Sequence, residues 1–352
     1  MMIRTLFTRF AWMPALAMAL ASQTASAQDA SLVPDAKDLP KAEFGELGWN
    51  PWVTIGGTVS FGHNRKVVGT LDGQSWTIGL SLDAGFDYQK NGHDWRNNLY
   101  LLESFTYGPP INEFIKSADQ LTFESIYYYK IASVPWLGPF ARFKLDTAIF
   151  PNSDVRESNT NNWELNGKVI HSGKRFKLTS SGFPLTLKES AGLFARPYSR
   201  PEIEWEFRVG AGAQEVFADG QYAISDDSST PNIEVALLHD YQQVGAEAGM
   251  SFNGAVYDNK FTYKAWIDVL FPLYRSDKQP GDDMNVAEAA NIEIGTKLSF
   301  KLVSWASLDY DLRVVRQPQL LDDWQVSNLL MLTFKYSPVE KKTVAPEEKA
   351  KK

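Results

Sequence analysis

From Thr77 to Tyr88 the chain alternates without a break. Ile78, Leu80, Leu82, Ala84 and Phe86 fall on one side, Thr77, Gly79, Ser81, Asp83, Gly85 and Asp87 on the other. Side chains of a strand point to opposite faces with a period of two, so this is a strand with one apolar and one polar face. The pattern recurs along the chain. Ala141, Phe143, Leu145, Thr147 and Ile149 oppose Arg142, Lys144, Asp146 and Ala148, and Ile292, Ile294, Thr296, Leu298, Phe300 and Leu302 oppose Asn291, Glu293, Gly295, Lys297, Ser299 and Lys301. Beyond the N-terminal region, no stretch holds about 18 uninterrupted apolar residues, the length of a transmembrane helix. A membrane chain without such helices must close its strands into a barrel, because lipid leaves open backbone edges unsatisfied. A composition of 44% hydrophobic and 13% aromatic residues would equally suit a soluble β-sandwich, so strand and loop lengths decide.

The strand candidates are 52–63, 75–88, 95–107, 119–132, 139–150, 176–188, 201–213, 241–256, 260–273, 289–302, 305–315 and 324–337. Most exceed the usual globular length of about five or six residues and match the roughly 9–11 that a tilted strand needs to cross a membrane. The connections alternate in length. Short ones follow the second, fourth, eighth and tenth candidates, the first with Asn91-Gly92, a tight-hairpin signal. Longer ones are 64–74, 108–118, 151–175, 214–240, 274–288 and 316–323, and 189–200 is a long exception among the short class. Bacterial barrels combine short periplasmic turns with longer extracellular loops. The expectation is an all-β fold, a transmembrane antiparallel up-and-down barrel of about 12 strands, with ten or fourteen as alternatives.

Aromatic residues collect at two levels. One holds Trp52, Tyr88, Trp95, Tyr127, Tyr129, Trp136, Phe261, Trp305, Phe334 and Tyr336; the other Trp76, Tyr107, Phe150, Phe271, Tyr274 and Trp324. Two belts separated by aliphatic residues are what membrane interfaces select.

Residues 1–27 read as a secretory leader, with Arg4 and Arg9, an apolar run Phe10–Leu20 and a small-residue cleavage site Ala25-Ser26-Ala27. The run is too short for a membrane helix. Residues 28–50 read as a periplasmic lead-in, 51–337 as the barrel and 338–352 as a flexible periplasmic tail. Loss of Arg4 and Arg9 takes the net charge from −7 to −9, and an acidic chain without a basic stripe argues against nucleic acid. The absence of Cys removes disulfides and thiolate metal sites.

The chain resembles the uncharacterised outer-membrane barrel family catalogued as domain of unknown function 3078. The resemblance spans about residues 51–337. It rests on Trp95-x-Asn97-x-Leu99-x-Leu101, on Asp119-x-Leu121 before Tyr127-Tyr128-Tyr129, and on Trp136 before Ala141-Arg142-Phe143. Further signatures are Phe261-x-x-Lys264 to Leu273-Tyr274 and Asn291-x-Glu293 before Lys297-Leu298-Ser299. It implies an outer-membrane barrel and no known activity. Residues 151–240 match poorly, and a tail follows the last strand.

The polar faces predict the lumen lining: Glu124, Lys130, Arg142, Lys144, Asp146, Glu204, Glu206, Arg208, Glu247, Lys264, Asp268, Glu293, Lys297, Lys301, Asp309, Asp311 and Arg313, with Asp83, Asp87 and Glu202. A Lys or Arg facing lipid at mid-depth would cost roughly 2–4 kcal/mol, which places these charges inside. In a narrow barrel they pair and fill the interior; in a wider one they line a wet channel with weak charge selection. Twelve strands lie between the filled barrel of about 8 and the open one of about 16, and a narrow or loop-obstructed lumen is favoured.

Catalysis finds little support. Of the four His, His63 falls at a predicted extracellular strand end, His93 in a short periplasmic turn beside Asp94, and His171 and His239 in the long central segments. His239 and Asp240 would point to opposite faces of a strand. Neither the serine-histidine-asparagine pattern of barrel phospholipases nor the aspartate-histidine pattern of barrel proteases is present. Asp226-Asp227 and Asp282-Asp283 with Asn285 lack calcium-loop spacing and read as solvated loops. The expectation is a non-enzymatic outer-membrane barrel without cofactor or metal, passing small polar solutes or ions through a narrow lumen. The alternatives are a structural or surface-binding barrel acting through its long loops, and a barrel hydrolase acting on lipid or peptide. The implied partners are outer-membrane lipid, lipopolysaccharide and the barrel assembly machinery of a Gram-negative cell.

Overall fold

Strands form in the order β1 (Gly48–Asn64), β2 (Gly73–Lys90), β3 (His93–Tyr107), β4 (Phe114–Tyr129), β5 (Leu137–Thr147), β6 (Asn152–Val155), β7 (Asn161–Leu165), β8 (Lys168–Gly173), β9 (Arg175–Thr179), β10 (Leu185–Arg200), β11 (Ile203–Phe217), β12 (Tyr222–Ile224), β13 (Ile233–Leu237), β14 (Tyr241–Val256), β15 (Phe261–Arg275), β16 (Asn291–Val303), β17 (Ala306–Gln317) and β18 (Leu321–Val339). The computed structural model describes residues 48–65, 73–200, 202–226, 229–257, 259–276 and 284–339. The expected leader 1–27, the lead-in up to residue 47, the tail from residue 340, and Asp227, Asp282 and Asp283 lie outside the described residues.

Twelve strands close into one barrel in the order β1-β18-β17-β16-β15-β14-β11-β10-β5-β4-β3-β2. Every neighbouring pair is antiparallel, and closure comes where Thr58 of β1 pairs with Thr333 of β18. The barrel strands run from 11 residues in β5 to 19 in β18. One end carries the short connections β2–β3, β4–β5, β10–β11, β14–β15 and β16–β17; the other carries the longer ones. At the first turn Asn91 (φ 54°) and Gly92 (φ 83°) both hold positive φ, as a two-residue hairpin turn requires.

The outer wall is apolar. Leu80 is 64% exposed, Val209 61% and Leu330 64%. Monomeric soluble proteins rarely present contiguous apolar surface of this kind. Here it encircles the barrel between two aromatic levels, with Tyr129, Trp136, Trp305 and Tyr336 toward the short turns and Trp76, Phe271, Tyr274 and Trp324 toward the long loops, all exposed. This is a lipid-facing surface.

Several sequence-based expectations are corrected. The sixth barrel strand is Leu185–Arg200, not 176–188, so the long exception among the short turns disappears into a strand. Its alternation is broken by Pro197, accommodated where the register shifts between Ala195 and Tyr198. Proline within a sheet is confined to such irregularities because it cannot donate to the ladder. Trp52 is not in the belt. It points inward and is 3% exposed, while Trp49 lies outside and is 58% exposed. The last long-loop connection is only 318–320, because β17 and β18 extend past their predicted ends.

Residues 148–184, 218–226 and 229–240 fold together above the barrel. A four-stranded sheet, β12-β13-β7-β8, and a two-stranded sheet, β6-β9, enclose Trp163, which is fully buried with Ile233 and Val235. A second cluster, Val216, Ala218, Leu238 and Tyr241 with Ala223 and Leu320 packed on it, joins this cap to the barrel rim. Truncating a buried Trp costs about 3–5 kcal/mol. Trp163→Ala is therefore expected to make the cap, but not the barrel, sensitive to protease. A cleavage pattern identical to that of the unsubstituted protein would contradict this.

Candidate functional site: the barrel lumen

Inward positions of adjacent strands meet across the interior at three levels. Toward the short turns, Asp94 is fully buried and accepts from Arg96 at 2.9 and 2.7 Å and from Arg196 at 3.2 Å, with Lys130 at 3.5 Å. The Arg196 guanidinium also donates to Glu206 at 2.7 Å and lies 4.0 Å from the Tyr128 ring centre. The Tyr128 hydroxyl donates to the same carboxylate at 2.8 Å. Ile126, Tyr128, Phe140 and Phe194 pack as a buried cluster around it. Glu204 is buried beside this group and accepts from Ser199 at 3.1 Å.

At the next level Arg142 is a hub. Its guanidinium meets Glu124 at 2.6 Å, Asp268 at 3.4 Å and Glu247 at 3.8 Å. Arg208 stands 2.9 Å from Asp268 and 3.6 Å from Glu206, which links the two levels. β5 and β15 are not neighbours in the wall, so Arg142–Asp268 crosses the interior.

Toward the long loops Glu293 accepts Lys188 at 3.0 Å, Arg313 at 3.1 Å and Lys144 at 3.6 Å. Lys144 also meets Asp146 at 3.0 Å. A cavity of about 30 Å³, bounded by Arg142, Lys188, Gln214, Glu247 and Glu293, remains here. That is room for one or two water molecules. Along the β16–β18 wall, Lys297 meets Asp311 at 3.4 Å and Lys335 meets Asp309 at 3.3 Å. The Trp266 ring lies against Gly295, with the Lys264 and Lys297 ammonium groups 5.5 and 5.9 Å from its centre. Lys301 follows Lys297 and Ser299 on the same face of β16. Asp83, also inward, accepts from Asn98 at 2.7 Å, and Asp87 is buried.

A Cβ on Gly295 would stand 2.0 Å from the Trp266 ring. Gly295→Ala must therefore displace Trp266, and overpacking of this kind costs typically about 1–3 kcal/mol. A lowered urea midpoint of the refolded protein is the expected result; an unchanged midpoint would refute the close packing.

Sequence reasoning missed Asp94, Arg96, Lys188, Arg196 and Tyr128. Asp94 lies in the turn just before the expected strand 95–107, Arg96 is the first polar position inside that strand, and 188–200 read as a strand end and loop. A signal existed: Lys188, Ser190, Gly192, Phe194 and Arg196 share one face at period two. Glu202 is a correction. It occupies the turn after β10, exposed, and its carbonyl accepts from the Tyr263 hydroxyl at 2.7 Å.

The histidines lie apart from the lumen charges. His93 Nδ1 meets the Tyr127 hydroxyl, the His171 ring packs on Trp163 and Phe176, His239 Nδ1 stands 3.8 Å from Asp219, and His63 is exposed at the end of β1. Among the described residues none joins a Ser to a carboxylate, and no group of three or more His, Cys, Asp or Glu is placed to hold a metal.

No family model matches the chain, and no curated protein matches it. The chain is similar in structure to the translocator domain of the autotransporter NalP from Neisseria meningitidis, at 10% identity over 82% of this chain and 88% of that one, with a TM-score of 0.38. It is also similar to an outer membrane channel from Pseudomonas putida F1, at 8% identity over 85% and 99% and a TM-score of 0.36. The third likeness is to the NanC porin, at 9% identity over 81% and 97% and a TM-score of 0.31. The architecture rests on the chain's own strand pairing.

Proposed function

We propose that this chain is an outer-membrane channel of narrow bore, passing small polar solutes or ions, here in a closed arrangement. The carrying observation is the column of paired charges of both signs from Asp94 to Glu293, inside a wall that faces lipid. Replacing a buried ion pair by apolar side chains of similar volume is often neutral or stabilising. Filling the barrel therefore does not by itself call for charge at every level, whereas a route for polar solutes does. Closure comes from Tyr128, Phe194 and Arg196 at one end and Val216 and Tyr241 at the other. The leader at 1–27 supports export, and a strand-built membrane protein supports an outer-membrane address in a Gram-negative cell. Its neighbours there would be lipopolysaccharide outside and the barrel assembly machinery inside. No catalytic step belongs to this proposal.

Liposome swelling tests it. Proteoliposomes should admit solutes of glycine size and exclude disaccharides. A rate equal to that of empty liposomes for every solute would overturn the channel. A second reading, a barrel acting through its cap, is favoured by β8, an edge of the cap sheet with Val169 and Ile170 exposed. Exposed edge strands can accept an added strand from another chain.

A further inference from the structure

The outer wall is not evenly convex. Across β10, β11, β14 and β15 it carries a groove of about 510 Å³, lined by Leu193, Ala195, Phe207, Ala248, Met250 and Ile267 with neighbouring apolar positions. Ligand sites span about 300–1,000 Å³. The strand register explains the groove. Ala248 pairs with Val209 and Val269, and Met250 with Phe207 and Ile267, so a side chain that ends at its Cβ stands among longer ones. Ala195, opposite Phe207, is the last outward residue of β10 before the irregularity at Pro197.

Toward the short turns the same outward column continues as Tyr198 opposite Trp205, and then Arg200 opposite Ile203. Tyr198, Trp205 and Arg200 are all exposed, and the Arg200 guanidinium lies 5.1 Å from the Tyr198 ring centre. Among the described residues no carboxylate stands within 4.0 Å of Arg200; Glu202, in the turn beside it, is exposed and lies beyond that distance. Val209 and Ile203 are six residues apart. At a rise of about 3.3 Å per residue they are about 20 Å apart along the strand. A tilt of about 40° converts this to about 15 Å of depth, half of the roughly 30 Å hydrocarbon core. The column therefore spans one leaflet, with a cation at headgroup level, two aromatic rings beside it and an apolar groove reaching the middle of the hydrocarbon.

We propose that this column is a binding site for one glycerophospholipid, its phosphate held by Arg200 and one acyl chain laid in the groove. The guanidinium fork matches a phosphate in two-point hydrogen bonding. Lipid covers the whole wall, but a groove touches a chain on several sides and gains dispersion contacts that a convex wall lacks. The site needs only the lipid-facing wall and does not depend on conduction. The choice of phospholipid over lipopolysaccharide rests on the outer-membrane reading, in which short turns face the periplasm.

Native mass spectrometry of the refolded full chain, stripped of lipid in detergent and titrated with phosphatidylglycerol, tests this. One lipid should be retained per protein. Ala248→Leu fills the groove from the lipid side and should abolish most of the retention. Arg200→Gln should weaken it about fivefold, the share of one base at a charged membrane surface. Two exposed controls, Ala141→Leu elsewhere on the outer wall and Lys260→Gln at a neighbouring short turn, should leave it unchanged. Retention that neither Ala248→Leu nor Arg200→Gln reduces would mean that lipid gathers without this seat, and would overturn it, as would no retention at all. Lipid A retained in place of phosphatidylglycerol, and lost with the same two substitutions, would overturn the phospholipid assignment. Retention by a protein that passes no current would leave the site standing and refute the channel alone.

Discussion

Arg142→Met lowers the stability of the folded barrel by about 3–5 kcal/mol, the range for breaking a buried pair by removing one partner. The size of the effect follows from its position. Carboxylates from β4, β14 and β15 converge on this one guanidinium, at 2.6 Å for Glu124, 3.8 Å for Glu247 and 3.4 Å for Asp268. Arg142 is 12% exposed, so water replaces little of what is lost. Met keeps the apolar stem and removes the charge, which isolates the electrostatic part. Urea unfolding of lipid-refolded protein measures it. A loss below about 1 kcal/mol, the scale of a surface pair, would mean that the lumen is wet enough to solvate those carboxylates. Adding Asp268→Leu to Arg142→Met should recover part of the loss by removing an orphaned charge.

Arg196→Ala raises the unitary conductance. Arg196 is 5% exposed and fills the space between the Tyr128 ring and the carboxylates of Asp94 and Glu206. Its removal takes out the side chain that closes the lumen toward the short turns, and leaves two buried carboxylates to attract water and cations. Arg196→Lys should fall between the two proteins. It keeps the charge but loses the planar fork and the stacking on Tyr128. Single-channel recording of the three proteins reads this order. Equal currents in all three would place the constriction elsewhere.

The alternation was legible wherever lipid faces one side and charge the other, as in β2, β15 and β16. It failed where the inner face is itself apolar or small, as with Phe194 and Gly192 in β10, and where a bulge at Pro197 shifts the phase. Arg175–Thr179 was rightly read as a strand but belongs to the cap, because five alternating residues look alike whether they pack on Trp163 or cross a membrane. Trp52 was misplaced because β1 begins four residues before the expected start, at Gly48: Trp52 shares the face of Thr54 and Thr58, which points inward, and Trp49, in the expected lead-in, takes the outer position. The inward charges were readable one at a time as polar positions. Their partners were not, because Arg142 meets Asp268, and Lys144 meets Glu293, only once the wall has closed and tilted.

Planar-bilayer recording of the refolded chain reads out a narrow polar route through the barrel. Stepwise currents are expected, well below those of an open barrel of about 16 strands. Silence from protein shown to be folded, or currents as large as those of such a pore, would contradict it.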